Sequence, residues 1–389
     1  MSLVSNHSHV VSKLRAFATI RELNRSGLLS SECGREIRHL LQTPEVILSN
    51  SARPRTGSFL RVAQWNIETG RRAQEIAAYI EEHRVLRWAD VILVNEADRG
   101  MARSENLHVA RTIGERLGMH IAFCAAHIEL TPGAGDHPSG ENRESLQGNA
   151  VLSRHPILDA IAIQLPVCFE PYEYHEKRYG RRNCLLTRLS VHGKDVWAGS
   201  VHLEVRNTPA CRAVQMRHLL TRLPGRAGEA FVIGGDLNSN GFPRGSRWRT
   251  LVSVCRLLSS PPEVMKERLR RPERRSEPLF SIAARHGFSW SDLNSDDATA
   301  TAAIDLLEDA SLLPGAIACS VARRLLAYQG RLDFKLDWLL GRHVRALHHG
   351  DARDQLSGIS SEDPGCVTTE RTGNARLSDH SPIFADIRL

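Results

Sequence analysis

The sequence predicts a layered α/β or α+β protein, and three observations lead there. Short apolar runs that fit strands alternate with amphipathic stretches that fit helices. Several strand candidates follow one another as hairpin-like neighbours, which argues against a strict βαβ repeat. At 389 residues the chain can bury a sizeable core without a metal or disulfide to hold it.

Residues 1 to about 50 read as helical, because Leu14, Phe17, Ile20 and Leu23 recur at helical spacing. SARPRTGS (51–58) reads as a linker. The expected organisation is an N-terminal helical extension and linker over 1–58, then a main domain over 59–389. FLRVAQW is the first strand candidate of that domain, followed by a helix over 71–88. VILVN (91–95) is wholly apolar up to its last residue, as in a strand covered on both faces. A helix over 107–117 ends at Gly118, and HIAFCAA (120–126) is a further strand. Residues 129–147 read as a surface loop. Strands follow at 149–153, 158–164, 184–191 and 196–203. A helix carrying Met216, Leu219, Leu220 and Leu223 precedes the strand AFVIGG (230–235). The stretch from about 248 to 330 reads as a mostly helical insertion, with a helical run at 316–328. LDWLLG (336–341) and PIFADIRL (382–389) are the last strands, with a loop at 350–376 between them.

Hydrophobic residues make up 41% and charged residues 24% of the chain, an ordinary globular composition. The formal net charge is +7, which favours polyanionic partners such as nucleic acid or anionic lipid. The eight cysteines are scattered singly, which fits reduced thiols and not a zinc-binding or redox motif. The start has no apolar run of signal-peptide length, and no stretch of about 18 apolar residues occurs. The expectation is a cytoplasmic protein without a membrane span.

Chemistry-bearing side chains sit at strand ends. Asn66 and Glu68 follow the first strand and Glu96 follows VILVN. His202 closes SVH, Asp236 and Asn238 follow VIGG, Asp337 opens LDWLL, and Asp379 and His380 precede the last strand. Loops at one edge of a layered sheet are where sites are usually built. One such residue alone would more often be a turn or cap; their accumulation in order points to a site. Carboxylate and amide oxygens favour magnesium, manganese or calcium over zinc. Such a cation together with a carboxylate-held imidazole suits hydrolysis of a phosphate ester by water.

The blocks FLRVAQWNIE, VILVNEADRG, GNAVLSRHPI, SVHLE, VIGGDLNSN, LDWLL and LSDHSPIFADI, in this order, resemble the endonuclease/exonuclease/phosphatase superfamily. The resemblance covers about 59–245 and 331–389. It implies a four-layer α/β/β/α sandwich of two mixed β-sheets flanked by helices, and a Mg2+ cofactor with Mn2+ as the alternative. It implies metal binding by Glu96, with Asn66, Glu68 and Asp379 beside the metal. Asp236 would align or deprotonate water, Asn238 would contact phosphate, His202 would serve the phosphate or the leaving group, and His380, oriented by Asp337, would contact the phosphate and assist the nucleophile. Whether Asp236 or His380 is the general base stays open at this point. The chain departs from the apurinic endonucleases at Gln147, where they carry tyrosine, and has Asn95 where glutamine is commoner.

EKRYGRR (176–182) places Arg178, Arg181 and Arg182 near the expected substrate edge as polyanion contacts. KERLRRPERR (266–275) reads as a solvated charged face. Nucleic acid is the first substrate expectation, and a phosphoinositide, sphingolipid or small phosphoester the second. A non-catalytic binding module on the same fold would be marked by loss of Glu96, Asp236 or His380, and all three are present.

Overall fold

The computed structural model describes residues 7–55, 57–132, 140–225, 228–244, 246–303, 331–354, 357–369 and 376–389, with scattered positions between 320 and 329. The chain opens with helices α1 (Ser8–Arg15), α2 (Ile20–Arg25) and α3 (Glu32–Gln42) and strand β1 (Glu45–Ile47). There follow β2 (Leu60–Asn66), α4 (Ala73–Glu82), β3 (Val91–Arg99), α5 (Val109–Arg116), β4 (His120–Glu129), β5 (Leu146–Ser153) and β6 (Ile157–Gln164). Next come β7 (Arg178–Gly180), β8 (Asn183–Val191), β9 (Lys194–Val201), α6 (Pro209–Leu220) and β10 (Ala230–Asp236). Then α7 (Arg247–Ser259), α8 (Pro262–Arg270), α9 (Leu279–Arg285), β11 (Ala300–Ala303) and β12 (Arg331–Phe334) lead to β13 (Asp337–Arg342), β14 (Arg345–Leu347), β15 (Gly365–Cys366) and β16 (Ile383–Arg388).

These elements form the four layers. The first sheet runs β1-β4-β5-β3-β2-β16-β14, with β7 on β4 and β15 on β16, and the second runs β13-β10-β9-β8-β6. Both are mixed: β2 pairs parallel with β3 and β9 with β10, whereas most other neighbours are antiparallel. Alternation along each strand decides the layering. Val62, Leu93 and Val151 of the first sheet pack with Leu185, Ala198 and Val232 of the second in the central core. Trp65, Ile92 and Val94 point the other way, into a core shared with α1, α3, α4 and α5. Phe231, Ile233 and Leu340 face α6 and α9 across a third core.

Several expectations change in detail. The run Leu14–Leu23 is two helices, because Thr19 and Glu22 form a capping box that starts α2 afresh. The helix expected to 88 stops at Glu82, and a short 3₁₀ turn follows at Leu86–Trp88. His83 Nδ1 accepts from the N–H groups of Val85 and Leu86 at 3.2 and 3.1 Å, an alternative to helical bonding. The expected linker is pinned: Ala52 is buried and the Arg55 guanidinium pairs with Asp90. The expected loop at 129–147 is shorter, since β4 reaches Glu129 and β5 begins at Leu146.

The insertion divides in two. Residues of α7, α8 and β12 share a small separate core with Phe242, Leu257, Met265 and Leu269. In contrast, Phe280, Ile282 and Phe288 belong to the core over the second sheet. The helical run expected at 316–328 lies largely outside the described residues. The basic run is engaged locally, with Lys266 on Glu263, Arg270 on Asp333, Arg271 on Asp296 and Arg274 on Glu267. Among the described residues no helix is long and apolar enough to cross a membrane.

Candidate active site

Strand pairing brings the site together. In the first sheet Asn66 at the end of β2 sits in register with Asn95 of β3. In the second, β9 ends just before His202, and Asp236 at the end of β10 lies opposite Asp337 of β13. Gly235 is required here, because a Cβ would fall 1.6 Å from the Val201 carbonyl oxygen. Glu96 is aimed by a bulge: the β3–β5 register shifts between Val94 and Ala97, and Glu96 adopts φ 59°. Glu68 (φ 46°) and Asn238 (φ 49°) also occupy the left-handed region. Three of the sequence-nominated residues therefore hold backbone conformations that cost energy, as functional sites often do.

The Asp236 carboxylate is the hub. Its Oδ2 accepts from Asn66 Nδ2 at 3.1 Å and lies 3.4 Å from His202 Nε2 and 3.8 Å from His380 Nε2. Its Oδ1 accepts the Asn238 N–H at 2.8 Å. Asn66 Nδ2 also reaches Glu96 Oε1 at 3.3 Å, and His202 Nδ1 lies 3.8 Å from the same oxygen. His380 Nδ1 meets Asp337 Oδ2 at 2.7 Å, and Asp337 Oδ1 accepts from Gln64 Nε2 at 3.0 Å. At the rim the Asp379 N–H donates to Glu68 Oε2 at 3.0 Å.

Of the three arginines, Arg182 joins the cluster, its guanidinium 2.8 Å from His202 Nδ1. A guanidinium only donates, so Nδ1 is an acceptor and the neutral ring carries its proton on Nε2. Arg178 stands one step back, paired with Glu176 at 2.7 Å and near Glu129 at 3.7 Å. Arg181 is exposed and its backbone N–H bonds to Ala126. The Asn238 side-chain amide is engaged with the Leu203 carbonyl at 3.0 Å.

Charge follows this geometry. Burial opposes protonation of His380, but Asp337, Asp379 and Asp236 outweigh it and raise its pKa well above the ordinary range. Burial, then Arg182 and His380, lowers His202 well below it. Burial pushes Asp236 up to about 7 against the pull of His380, with Asp337 and Glu96 adding to the rise. Burial, then the negative charge of Asp379, raises Glu68, and Glu96 raises it further.

Two clusters could draw a cation. Ligand atoms of Asp236, Asp337 and His380 lie within 4.8 Å of one another. That trio is already satisfied by the Asp337–His380 contact and by Gln64. The second is Glu68, Glu96 and Asp379: burial and the like charges of Asp379 and Glu96 raise Glu68 against the pull of the Asp379 N–H and Arg71. An all-oxygen set of this kind fits a hard divalent cation.

Sequence reasoning missed the support beneath the site. Asn95 donates to Asn149 Oδ1 at 2.8 Å and Ser200 Oγ at 3.1 Å, and its Oδ1 accepts the Asp236 N–H at 2.8 Å. Asn149 passes the chain on to Asn183 at 2.8 Å. Thr299 Oγ1 accepts the N–H groups of Leu336 and Asp337 at 3.0 and 3.1 Å, and its carbonyl accepts the Ser381 N–H at 2.7 Å. A polar residue inside an otherwise apolar strand was the available signal for Gln64, Asn95 and Asn149; none existed for Thr299.

Residues 63–380 match the Endonuclease/Exonuclease/phosphatase family, and the chain belongs to it. It is an enzyme of that family, a hydrolase of phosphoester bonds. Similar solved structures include an endonuclease/exonuclease/phosphatase from Beutenbergia cavernae DSM 12333, at 17% identity and TM-score 0.48 over 85% of this chain and 72% of that one. The human Nocturnin catalytic domain with bound sulfate anion is 13% identical, with TM-score 0.47 over 89% and 96%. D. rerio TDP2 complexed with single-strand DNA product is 13% identical, with TM-score 0.43 over 85% and 100%. No curated protein matches the chain significantly.

Proposed function

We propose that the chain is a magnesium-dependent phosphodiesterase, with manganese as an alternative cation and nucleic acid as the first substrate class. The observation that carries this reading is the convergence of Asn66, Glu96, His202, Asp236 and His380 from separate strand ends into one contact cluster. Glu96, Glu68, Asp379 and the Asn66 amide would hold the cation. When bound, it supplies polarisation of a phosphoryl oxygen and stabilisation of the leaving oxygen.

The chain's own residues do the rest. Asp236 Oδ2, the acceptor among three surrounding donors, takes the proton of the attacking water. Asp337 fixes His380 through Nδ1, leaving Nε2 to donate to a phosphate oxygen. His202 offers a second donor at Nε2, a tautomer set by Arg182. Asn238 braces Asp236 and the turn at Leu203 instead of touching phosphate. Arg178 is held back by Glu176 and Glu129, so Arg181 is the exposed arginine of that run, and the net charge of +7 favours a polyanion.

The test is a panel of phosphodiesters and phosphomonoesters with magnesium, manganese and calcium, with Asp236→Ala as the blank. Removing a well-placed electrostatic group typically costs about 100-fold or more in turnover, so Asp236→Ala and His380→Ala should each lose at least that with the fold retained. Undiminished turnover of a good substrate in either variant would refute the assigned role. Binding through many backbone phosphates weakens steeply with salt; a flat response would favour a lipid headgroup or small phosphoester. Tight substrate binding with no metal-dependent turnover across the panel would make the chain a binding module.

A further inference from the structure

The described thiols differ sharply in surroundings. Burial pushes Cys124 and Cys366 up to about 12 and raises Cys184 and Cys33, which makes them poor nucleophiles. Cys168 and Cys211, distant in sequence, meet at the surface. Each is partly exposed, and the Cys168 thiol donates to the Cys211 carbonyl oxygen, its Sγ 3.6 Å away.

Their backbones are held together without help from the sulfurs. Gln215 of α6 donates from Nε2 to the Pro166 carbonyl at 3.0 Å and accepts the Glu204 N–H at 3.0 Å. The segment before Cys168 is thereby fixed against the helix that carries Cys211. Cys211 lies in the first turn of α6, where Thr208 caps the helix and accepts the Cys211 N–H at 3.3 Å. Hydrogen bonds from Cys168, Thr208 and Asn207 favour its thiolate and outweigh burial, so its pKa falls below the ordinary thiol value. The partner moves the other way: burial, then its bond to Cys211, pushes Cys168 up to about 12.

We propose that Cys168 and Cys211 form a redox-reactive dithiol, a modification site for peroxides, in which Cys211 is the attacking sulfur and Cys168 the resolving one. In the first step the Cys211 thiolate attacks one peroxide oxygen. The O–O bond breaks, hydroxide leaves, and Cys211 becomes a sulfenic acid. In the second, Cys168 sulfur attacks Cys211 sulfur. The S–O bond breaks, the Cys168 proton goes to the departing hydroxide, and a disulfide and water result. With hydrogen peroxide the sum is two thiols and one peroxide giving one disulfide and two waters. The bridge closes a covalent loop from 168 to 211 that contains Arg182 and His202, and thiol reductants reopen it. The proposal concerns the thiols and does not depend on the phosphoester reading.

The test treats the full chain with limiting hydrogen peroxide, blocks remaining thiols by alkylation, and maps peptides by mass spectrometry without reduction. The internal reference is Cys255, the exposed thiol of α7. The Cys168–Cys211 linked peptide should form first and disappear on adding dithiothreitol. Alkylation of untreated protein near neutral pH should modify Cys211 about 10-fold faster than Cys255. In Cys168→Ser, a sulfenic-acid trap such as dimedone should label Cys211; in Cys211→Ser, Cys168 should stay unlabelled at the same dose. Oxidation of Cys255 ahead of any linked Cys168–Cys211 peptide in the unsubstituted chain overturns the proposal, and so does equal alkylation of Cys211 and Cys255. The measurements on the unsubstituted chain decide the matter even if a variant misfolds.

Discussion

The N-terminal helices and the segment from about 248 to 330 both lie outside the blocks that carry the family resemblance, yet they serve the site differently. Helices α1 to α3 pack Val10, Leu14, Leu23 and Ile37 onto the outer core of the first sheet. Their links toward the site are indirect: Tyr172 O–H and Lys177 Nζ donate to the carbonyls of Leu14 and Phe17, steadying the approach to Arg178 and Arg182. The later segment reaches the machinery itself. Thr299 grips the start of β13 at Asp337 and the turn after His380, and Ala300 bridges to His380. An addition becomes part of a site when its backbone and hydroxyls satisfy groups at the strand ends; mere attachment to the outer face makes it scaffold.

Substitutions can break or sharpen this contrast. The largest loss should come from Arg212→Ala, because Arg212 of α6 and Glu277 before α9 are both fully buried and paired. Leaving the carboxylate alone costs about 3–5 kcal/mol, read as a lower chemical-denaturation midpoint. A change under about 1 kcal/mol, within the range of an exposed ion pair, would show that the segment is not tied to the sandwich there. Leu14→Ala should follow at about 2–5 kcal/mol for a leucine emptied from a packed core, with turnover per folded molecule close to normal. Were turnover to drop further than the folded fraction, the N-terminal helices would belong to the site after all.

Thr299→Val should be comparable in stability and harsher in rate. It strips the acceptor from two backbone donors, Leu336 and Asp337, at about 1–3 kcal/mol for each buried group left unmet. Because Asp337 orients His380, turnover should fall while substrate affinity holds; equal kcat in the two proteins would contradict a positioning role. The smallest effect belongs to Trp248→Ala on α7, whose side chain is 72% exposed. Stability should move by no more than about 0.5 kcal/mol. A thermal shift well beyond that would mean α7 is bound into the fold more tightly than its exposure implies.

Much of the fold was legible in sequence because its strands are short apolar runs and its helices carry spaced apolar faces. The errors sit where a side chain competes with the backbone. His83 ends α4 early, and Thr19 with Glu22 divides α1 from α2. Neither departs from the hydrophobic period, so neither was visible in it. The clustered residues were nominated by their strand-end positions and by family resemblance, and Asn66, Glu96, His202, Asp236, Asp337 and His380 do come together. Arg181 shows the limit of such reasoning: two basic neighbours in one run, Arg181 and Arg182, part company because one is exposed and the other touches His202.

The amino-acid order by itself determined which polar side chains stand at strand ends and which strands present them, since strand identity and strand ends are local properties of period and polarity. Tertiary structure decided which of those groups meet. It set the bulge that aims Glu96, joined Gln64, Asn95, Asn149 and Asn183 into one buried amide chain, and drew Thr299 under Asp337. The physical reason is that a buried polar group must find its partner wherever packing places one, and that place is fixed by how two sheets stack, not by neighbours along the chain.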